Sequence, residues 1–415
     1  MGRSLALFVA VFIISTGLSP AASDWTRFRG PNGTGIAADK DIPVQWTDKN
    51  IHWKAELLGL GHSSPIVWKD HIYLQTASKD AKDRMLLCLS TKDGSLLWKQ
   101  GVPGKAVGAK GLKVKIHEKS SYASSSAGVD AERVYVVFWD NVDLILNAYT
   151  HDGQPLWSKN LGAYASQHGA GASPIPMRDK VYFVDDTDDK SVLLCLDAKT
   201  GNKVWSQDRQ HVRACYSAPI IRELPGGARE LVVLTTMGVT AYDLDNGSQH
   251  WDWHWDFGGK MALRTTATPV LSDNIVIACS GDGNGPRHMV AVKLGTTPTK
   301  LWENLKDFPY VPTPLAWGKH VYFVNDKGSA GCYEIATGKR MWLERLAGEF
   351  SSSPVLIDGK IYAVNEDGEV FVIAATPSYQ LLATNTLGEP VRATPAVADN
   401  RLYIRGQNHL FCIGK

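Results

Sequence analysis

Short apolar runs recur along the chain, and a polar turn ends each one before a helical face could develop. A small residue before proline opens seven of these runs: Ser64-Pro65, Ser173-Pro174, Ala218-Pro219, Thr268-Pro269, Thr313-Pro314, Ser353-Pro354 and Thr394-Pro395. Ser126-Ala127 fills an eighth place. Proline cannot donate to a sheet ladder, so it belongs near the start of a strand that faces a channel or an irregular edge. A polar turn follows, such as Lys69-Asp70, Gly318-Lys319, Asp358-Gly359 or Asp399-Asn400. An aliphatic residue with tyrosine comes next, at Tyr73, Tyr135, Tyr182, Tyr322, Tyr362 and Tyr403, with Val232 and Val276 in the two remaining units. Finally, a turn glycine is followed four residues later by tryptophan at Gly94/Trp98, Gly153/Trp157, Gly201/Trp205, Gly247/Trp251 and Gly338/Trp342. A looser copy runs from Gly295 to Trp302. Asp-, Asn- or Thr-Gly supplies the positive φ of a tight hairpin.

Each unit therefore reads as four short strands, A to D, at a period of roughly 40 to 60 residues, the signature of a propeller blade. Eight A landmarks predict an all-β, eight-bladed β-propeller of four-stranded antiparallel blades over residues 50–415. The last unit stops at Phe411-Cys412-Ile413-Gly414 without a strand D, while Asn50–Lys54 carries Trp53 with no strand A before it. That N-terminal strand should close the ring beside the C-terminal one, removing an exposed edge. Cys88, Cys195, Cys332 and Cys412 share one position of strand C with Ala148, Ala241, Ala291 and Ile373. A place that accepts Cys, Ala or Ile is a packing position. Cys215 and Cys279 lie outside it, in adjacent blades, and their pairing stays open.

The first 23 residues add a compartment. Arg3, the apolar run Leu5–Ile14 and small residues up to Ser23 have the three parts of a signal peptide, with cleavage after Ala22 or Ser23. No cysteine near that point could take a lipid anchor, and the apolar run is too short to span a bilayer. A periplasmic or extracellular monomer is expected, with 24–49 as an N-terminal extension. The formal charge of +2 falls to +1 without Arg3, which gives no electrostatic case for nucleic acid.

The strand pair Leu194-Cys195-Leu196-Asp197-Ala198-Lys199-Thr200-Gly201-Asn202-Lys203-Val204-Trp205 resembles the pyrroloquinoline-quinone enzyme repeat. The resemblance covers about residues 50 to 415 and implies that the repeat tryptophans dock between neighbouring blades. That role is carried to Trp53, Trp98, Trp157, Trp205, Trp251, Trp302 and Trp342. Blade 7, with Leu381-Leu382-Ala383 where tryptophan would stand, should pack more loosely. The segment Trp25-Thr26-Arg27-Phe28-Arg29-Gly30-Pro31 is similar to the opening of a set of exported bacterial propellers. The superfamily holds quinoprotein alcohol and sugar dehydrogenases as well as non-enzymatic propellers similar to BamB. The dehydrogenases stack the quinone on an adjacent Cys-Cys disulfide and hold Ca²⁺ with Glu, Asn and Asp. Here no two cysteines adjoin and no haem-attachment motif occurs. The expectation is therefore no catalytic residue, no metal and no cofactor, with the quinone and calcium kept for the dehydrogenase alternative.

Topology supplies the candidate site. In a propeller the D–A connectors and B–C loops share one face. Residues just upstream of the strand A landmarks should line the mouth of the channel there: His62, Tyr122, His168, Arg213, Tyr216, Arg264, Tyr310, Phe350 and Arg392. Arginine forks beside aromatic rings suit an anionic or carbohydrate-like ligand, an acidic peptide or a protein partner. The first connector, Lys99–Lys119, adds six lysines against Glu118. Asp185-Asp186-Thr187-Asp188-Asp189 reads as a solvated acidic turn, and Ser280–Gly285 as a flexible turn without the ligand set of a calcium loop.

Overall fold

A computed structural model describes residues 24–78, 82–103, 116–283 and 285–415; the expected signal peptide lies outside them. The chain forms eight antiparallel four-stranded blades, with a short extra strand added to one of them. The inner A strands are, for blades 1 to 8, Ile66–Trp68, Gly128–Val129, Ile175–Met177, Ile220–Glu223, Val270–Ser272, Leu315–Trp317, Val355–Ile357 and Ala396–Ala398. Ring closure follows the expected route. Ile51–Glu56 pairs antiparallel with His409–Ile413 as the outer strand of blade 8, placing Trp53 opposite Cys412.

Register explains the repeat. In blade 1, Ile66, Tyr73, Cys88 and Trp98 lie side by side across the four strands, and every other blade repeats that row. The small strand C residue leaves room for the ring pair: Tyr73–Trp98, Tyr135–Trp157 and Tyr182–Trp205 centroids all lie 5.9 Å apart. Two positions move by one residue from the sequence reading. Ile277, not Val276, opposes Ala291 in blade 5, and Val372, not Ile373, opposes Tyr362 in blade 7.

Tryptophan and glycine belong to neighbouring blades. The indole N–H groups of Trp53, Trp98, Trp157, Trp302 and Trp342 donate to the carbonyls of Thr91, His151, Ala198, Ile335 and Thr376, each in the next blade. The next blade's C–D turn also lays its glycine on the ring. A Cβ at Gly94 would stand 2.6 Å from Trp53, and one at Gly201 2.6 Å from Trp157. The residue must therefore be glycine for its positive φ and for the close approach. Trp251, followed by the looser copy, bonds instead to Glu230 of its own blade at 3.2 Å.

Blade 7 is not loosely packed. Trp46, from the N-terminal extension, is buried in one apolar cluster with Leu382, Ala383 and Leu402. Its backbone N–H donates to Asn385 Oδ1 at 2.9 Å, and Asn385 Nδ2 donates to Val44 O at 3.0 Å. A tryptophan from outside the repeat fills the gap.

The Ser/Thr-Pro landmark has a geometric cause as well. The N–H of Ser64 donates to Ser126 Oγ and that of Ser126 to Ser173 Oγ, both at 2.9 Å. Thr268 bonds likewise to Thr313, Thr313 to Ser353, Ser353 to Thr394 and Thr394 back to Ser64. Hydroxyls thus stitch the inner strands together round the channel. Ala218 of blade 4 interrupts the ring, and Thr268 Oγ1 is left without a partner.

Candidate functional site

The two ends of the channel differ. From the face of the tight A–B turns, the extension runs up the channel and back. Trp25 bridges Val67 of blade 1, and Thr26 O accepts from Val129 N of blade 2 at 2.8 Å. Arg27 donates to Pro219 O, and Asn32 holds both backbone groups of Ile221 with its amide. Ile36–Ala37 leaves parallel to Leu356–Ile357 of blade 7. Arg29 anchors the turn. Fully buried, it donates to Thr313 O and Pro354 O at 3.2 Å, Pro314 O at 2.8 Å, Thr34 O at 2.9 Å and Gly33 O at 3.1 Å. Burial pushes its pKa down to about 9, which still leaves it charged at neutral pH. A Cβ at Gly30, whose φ is +68°, would stand 2.4 Å from the Trp25 ring. The Trp-x-x-Phe-Arg-Gly-Pro segment is thus a channel plug, read by backbone carbonyls of remote blades.

The loop-bearing end is open. Phe28, at the top of the plug, forms the floor with Ser64, Ser173, Ser353 and Thr394 of the hydroxyl ring, below a cavity of about 680 Å³. The structure brings His62, His168, Tyr216, Arg264, Tyr310, Arg392 and Phe350 to its wall. Two of the expected residues sit elsewhere. Tyr122 lies over the Arg84 guanidinium at 4.6 Å and stacks on Trp139 at 6.0 Å, which commits it to the packing of blades 1 and 2. Arg213 turns to Asp282 at 3.3 Å, behind the lining.

The B–C loops contribute what the connectors conceal. Asp282, Asp326 and Glu366 of blades 5, 6 and 7 line the cavity, with Glu349 and Glu118. Five acids therefore face five bases: Lys119, Arg264, Arg287, Lys327 and Arg392. Arg392 pairs with Glu366 at 3.2 Å, and Arg287 lies 3.7 Å from Asp326 with its guanidinium over Tyr310. Arg264, with a buried side chain, donates to Gln167 at 3.2 Å and has Asp188 at 3.9 Å. The mouth is charge-balanced, so the arginines alone overstate its pull on an anion. His62 and His168 add no charge there at neutral pH. Burial beside Arg392 and Arg405 lowers the His62 pKa to about 3, and burial beside Arg264 lowers that of His168 to about 4. Burial pushes the Tyr216 hydroxyl up to about 12.

One connector crosses the mouth. The His117 ring packs, tilted, against His168 of blade 3 at 4.9 Å. Two residues on, Lys119 reaches Glu349 and Glu366, on the loops of blades 6 and 7, at 2.5 and 3.1 Å. Arg392 of the blade 7–8 connector donates to Glu118 O at 3.4 Å. The lysine-rich stretch 104–115 just before this strap lies outside the described residues. The other motifs are structural. Asp185 and Asp186 are buried and not solvated, paired with Lys190 at 2.6 Å and with Arg209 respectively. Cys215 and Cys279 are both buried and free.

A family model described as outer membrane protein assembly factor BamB matches residues 113–342 and 309–379. This chain belongs to that family. Among solved structures, BamB from Moraxella catarrhalis aligns with 87% of this chain and 98% of its own, at TM-score 0.62 and 16% identity. Quinohemoprotein alcohol dehydrogenase from Comamonas testosteroni aligns with 94% of this chain and 80% of its own, at 0.69 and 11%. At such identities both show the fold. A curated relative, tetrathionate hydrolase of Acidithiobacillus ferrooxidans, is 22% identical over 303 residues, 68% of this chain. The chain spans about half the length of that relative, the match covering 53% of it. Among the described residues of this BamB-family propeller no helix is long and apolar enough to cross a membrane.

Proposed function

We propose that this chain is an exported, non-catalytic binding propeller of the cell envelope that presents its loop-bearing face to a protein partner. The signal peptide expected at residues 1–23 would supply export, and BamB-family membership supports an assembly or scaffold role. The observation that carries the reading is the asymmetry of the channel. One end is packed with the chain's own plug, while the other holds a 680 Å³ cavity lined by balanced charges and aromatic rings. Balanced, partly exposed ion pairs beside rings suit the polar surface of a protein better than a free anion.

A quinoprotein dehydrogenase is the second reading, favoured by the fold of the Comamonas enzyme. The residues present do not fit its quinone and calcium. No cysteines adjoin in the sequence, and no group of three His, Cys, Asp or Glu side chains is gathered for a metal among the described residues.

Replacing the exposed rim residue Lys327 by Trp narrows the mouth without touching the ring. The Lys327→Trp protein should fold normally and no longer retain an envelope partner that the wild type retains. Equal retention would refute the binding face. Titration with pyrroloquinoline quinone and Ca²⁺ separates the second reading, for which a stoichiometric absorbance change is required.

A further inference from the structure

We propose that Glu349 and Glu366 form a receptor for a basic side chain of the partner, and that Lys119 occupies this receptor in cis as a stand-in. The inference rests on the loop-bearing face being the binding face, and it names the chemistry recognised there.

The receptor is assembled before any cation arrives. Glu366 is largely buried, accepts from Ser351 Oγ at 2.6 Å and pairs with Arg392 at 3.2 Å. Those contacts fix one oxygen edge of Glu366 toward the cavity. Glu349, half-exposed on the blade 6–7 connector, completes the opening. Two carboxylates against Arg392 leave one negative charge unmatched, which is room for one cation. The cation seated there is foreign to these blades. Lys119 comes from the blade 1–2 connector, 230 residues before Glu349 and 247 before Glu366, and its ammonium bridges both carboxylates.

Its hold is weak by construction. The Lys119 side chain is 40% exposed and that of Glu349 58%. Exposed ion pairs of long side chains are salt-screened and contribute little. The strap is also held by His117, whose ring lies tilted 4.9 Å from that of His168 and whose backbone N–H donates to Gln167 O at 3.3 Å. Ile116 against the apolar cluster of blades 2 and 3, a 3.3 Å contact of Ser120 Oγ with His168 Nδ1 and the long bond from Arg392 add to this. Inside the same mouth Asp326 extends the acidic wall. Backbone N–H groups of Tyr310 and Val311 hold it at 2.8 and 3.1 Å, and its nearest cation, Arg287, stands off at 3.7 Å. A basic segment laid along blades 6 and 7 would meet Glu349, Glu366 and Asp326 in turn. Seating it requires Lys119 to leave, so strap release and partner binding are one equilibrium.

The test uses the mature full chain, with pentalysine as probe and pentaglutamate as control, by calorimetry at low and at high salt. Lys119→Ala removes the internal competitor and should bind pentalysine more tightly than wild type, by up to about fivefold, since one exposed ion pair is worth up to about that factor. Lys119→Arg keeps the competitor and should match wild type. Adding Glu349→Gln and Glu366→Gln to Lys119→Ala should abolish the gain, and high salt should erase it. Unchanged pentalysine affinity in a folded Lys119→Ala protein would overturn the receptor, as would a gain that survives both Gln replacements. If that happened while Lys327→Trp still lost the envelope partner, the cation receptor alone would fall and the binding face would stand.

Discussion

Removing the Arg29 guanidinium tests whether the N-terminal segment is part of the fold. Its three donations to blades 6 and 7, at 2.8 to 3.2 Å, reach Thr313, Pro314 and Pro354 carbonyls in a space closed to solvent. Truncation leaves those acceptors unpaired, at about 1 to 3 kcal/mol each. Relief from burying a charge that faces no carboxylate among its hydrogen-bond partners offsets part of this, as its lowered pKa indicates. Cavity formation then adds to the loss. A net destabilisation of about 3 kcal/mol is expected for Arg29→Ala, and a similar one for Arg29→Lys, whose single ammonium cannot span the same carbonyls. For a chain of this size such a loss moves the melting temperature by only a few degrees. Urea unfolding followed by tryptophan fluorescence is the sharper assay. An Arg29→Ala midpoint equal to that of wild type would show that the plug adds nothing to stability.

Trp53→Ala should destabilise the ring by about 3 kcal/mol through lost packing on Tyr403 and Gly94, and an unchanged urea midpoint would contradict closure by the N-terminal strand. Ala218→Ser supplies the missing hydroxyl between Ser173 and Thr268 and should gain about 1 kcal/mol, the worth of one hydrogen bond; a neutral or lower stability would show that the ring is not a cooperative stitch. Acid should weaken the fold through its depressed histidines. His62 and His168 remain neutral in the folded chain down to about 3 and 4, while the unfolded chain takes up their protons near 6.5. Stability is therefore full above about pH 6.5 and falls as pH drops toward 4, by up to about 1.4 kcal/mol per unit for His62 and less for the more exposed His168. Urea midpoints of wild type and His62→Asn should converge or cross as pH is lowered from 7 to 5, and parallel curves would refute the assignment.

Blade number, ring closure and the strand C cysteines were legible because their signals are local and periodic. Gly94 and Trp98 stand four residues apart on one hairpin, and five such copies with a sixth, looser one make the period plain. The plug was not legible. Arg29 and Asn32 bond to backbone carbonyls and amides of blades 4, 6 and 7, and such partners leave no side-chain trace in a sequence. Half of the site was legible. The connectors pointed to His62, His168, Tyr216, Arg264, Tyr310 and Arg392, but three of the five opposing acids, Asp282, Asp326 and Glu366, sit in the B–C loops. A signal existed: Asn325-Asp326 and Asn365-Glu366 occupy the same loop position after strand B. The shifts at Ile277 and Val372 arose in blades where one row residue is atypical. A slip by one flips a strand's faces, so a missing ring removes the guide to register.

The account stands or falls on which face meets the partner. A photo-crosslinking residue at Lys327, on the rim of the cavity, and another at Lys92, exposed on the opposite tight-turn face, can be introduced singly into the full-length chain in cells. The account predicts one discrete protein adduct from position 327, lost when Glu349 and Glu366 are both changed to Gln, and none from position 92. An adduct from position 92 with none from position 327 would contradict it.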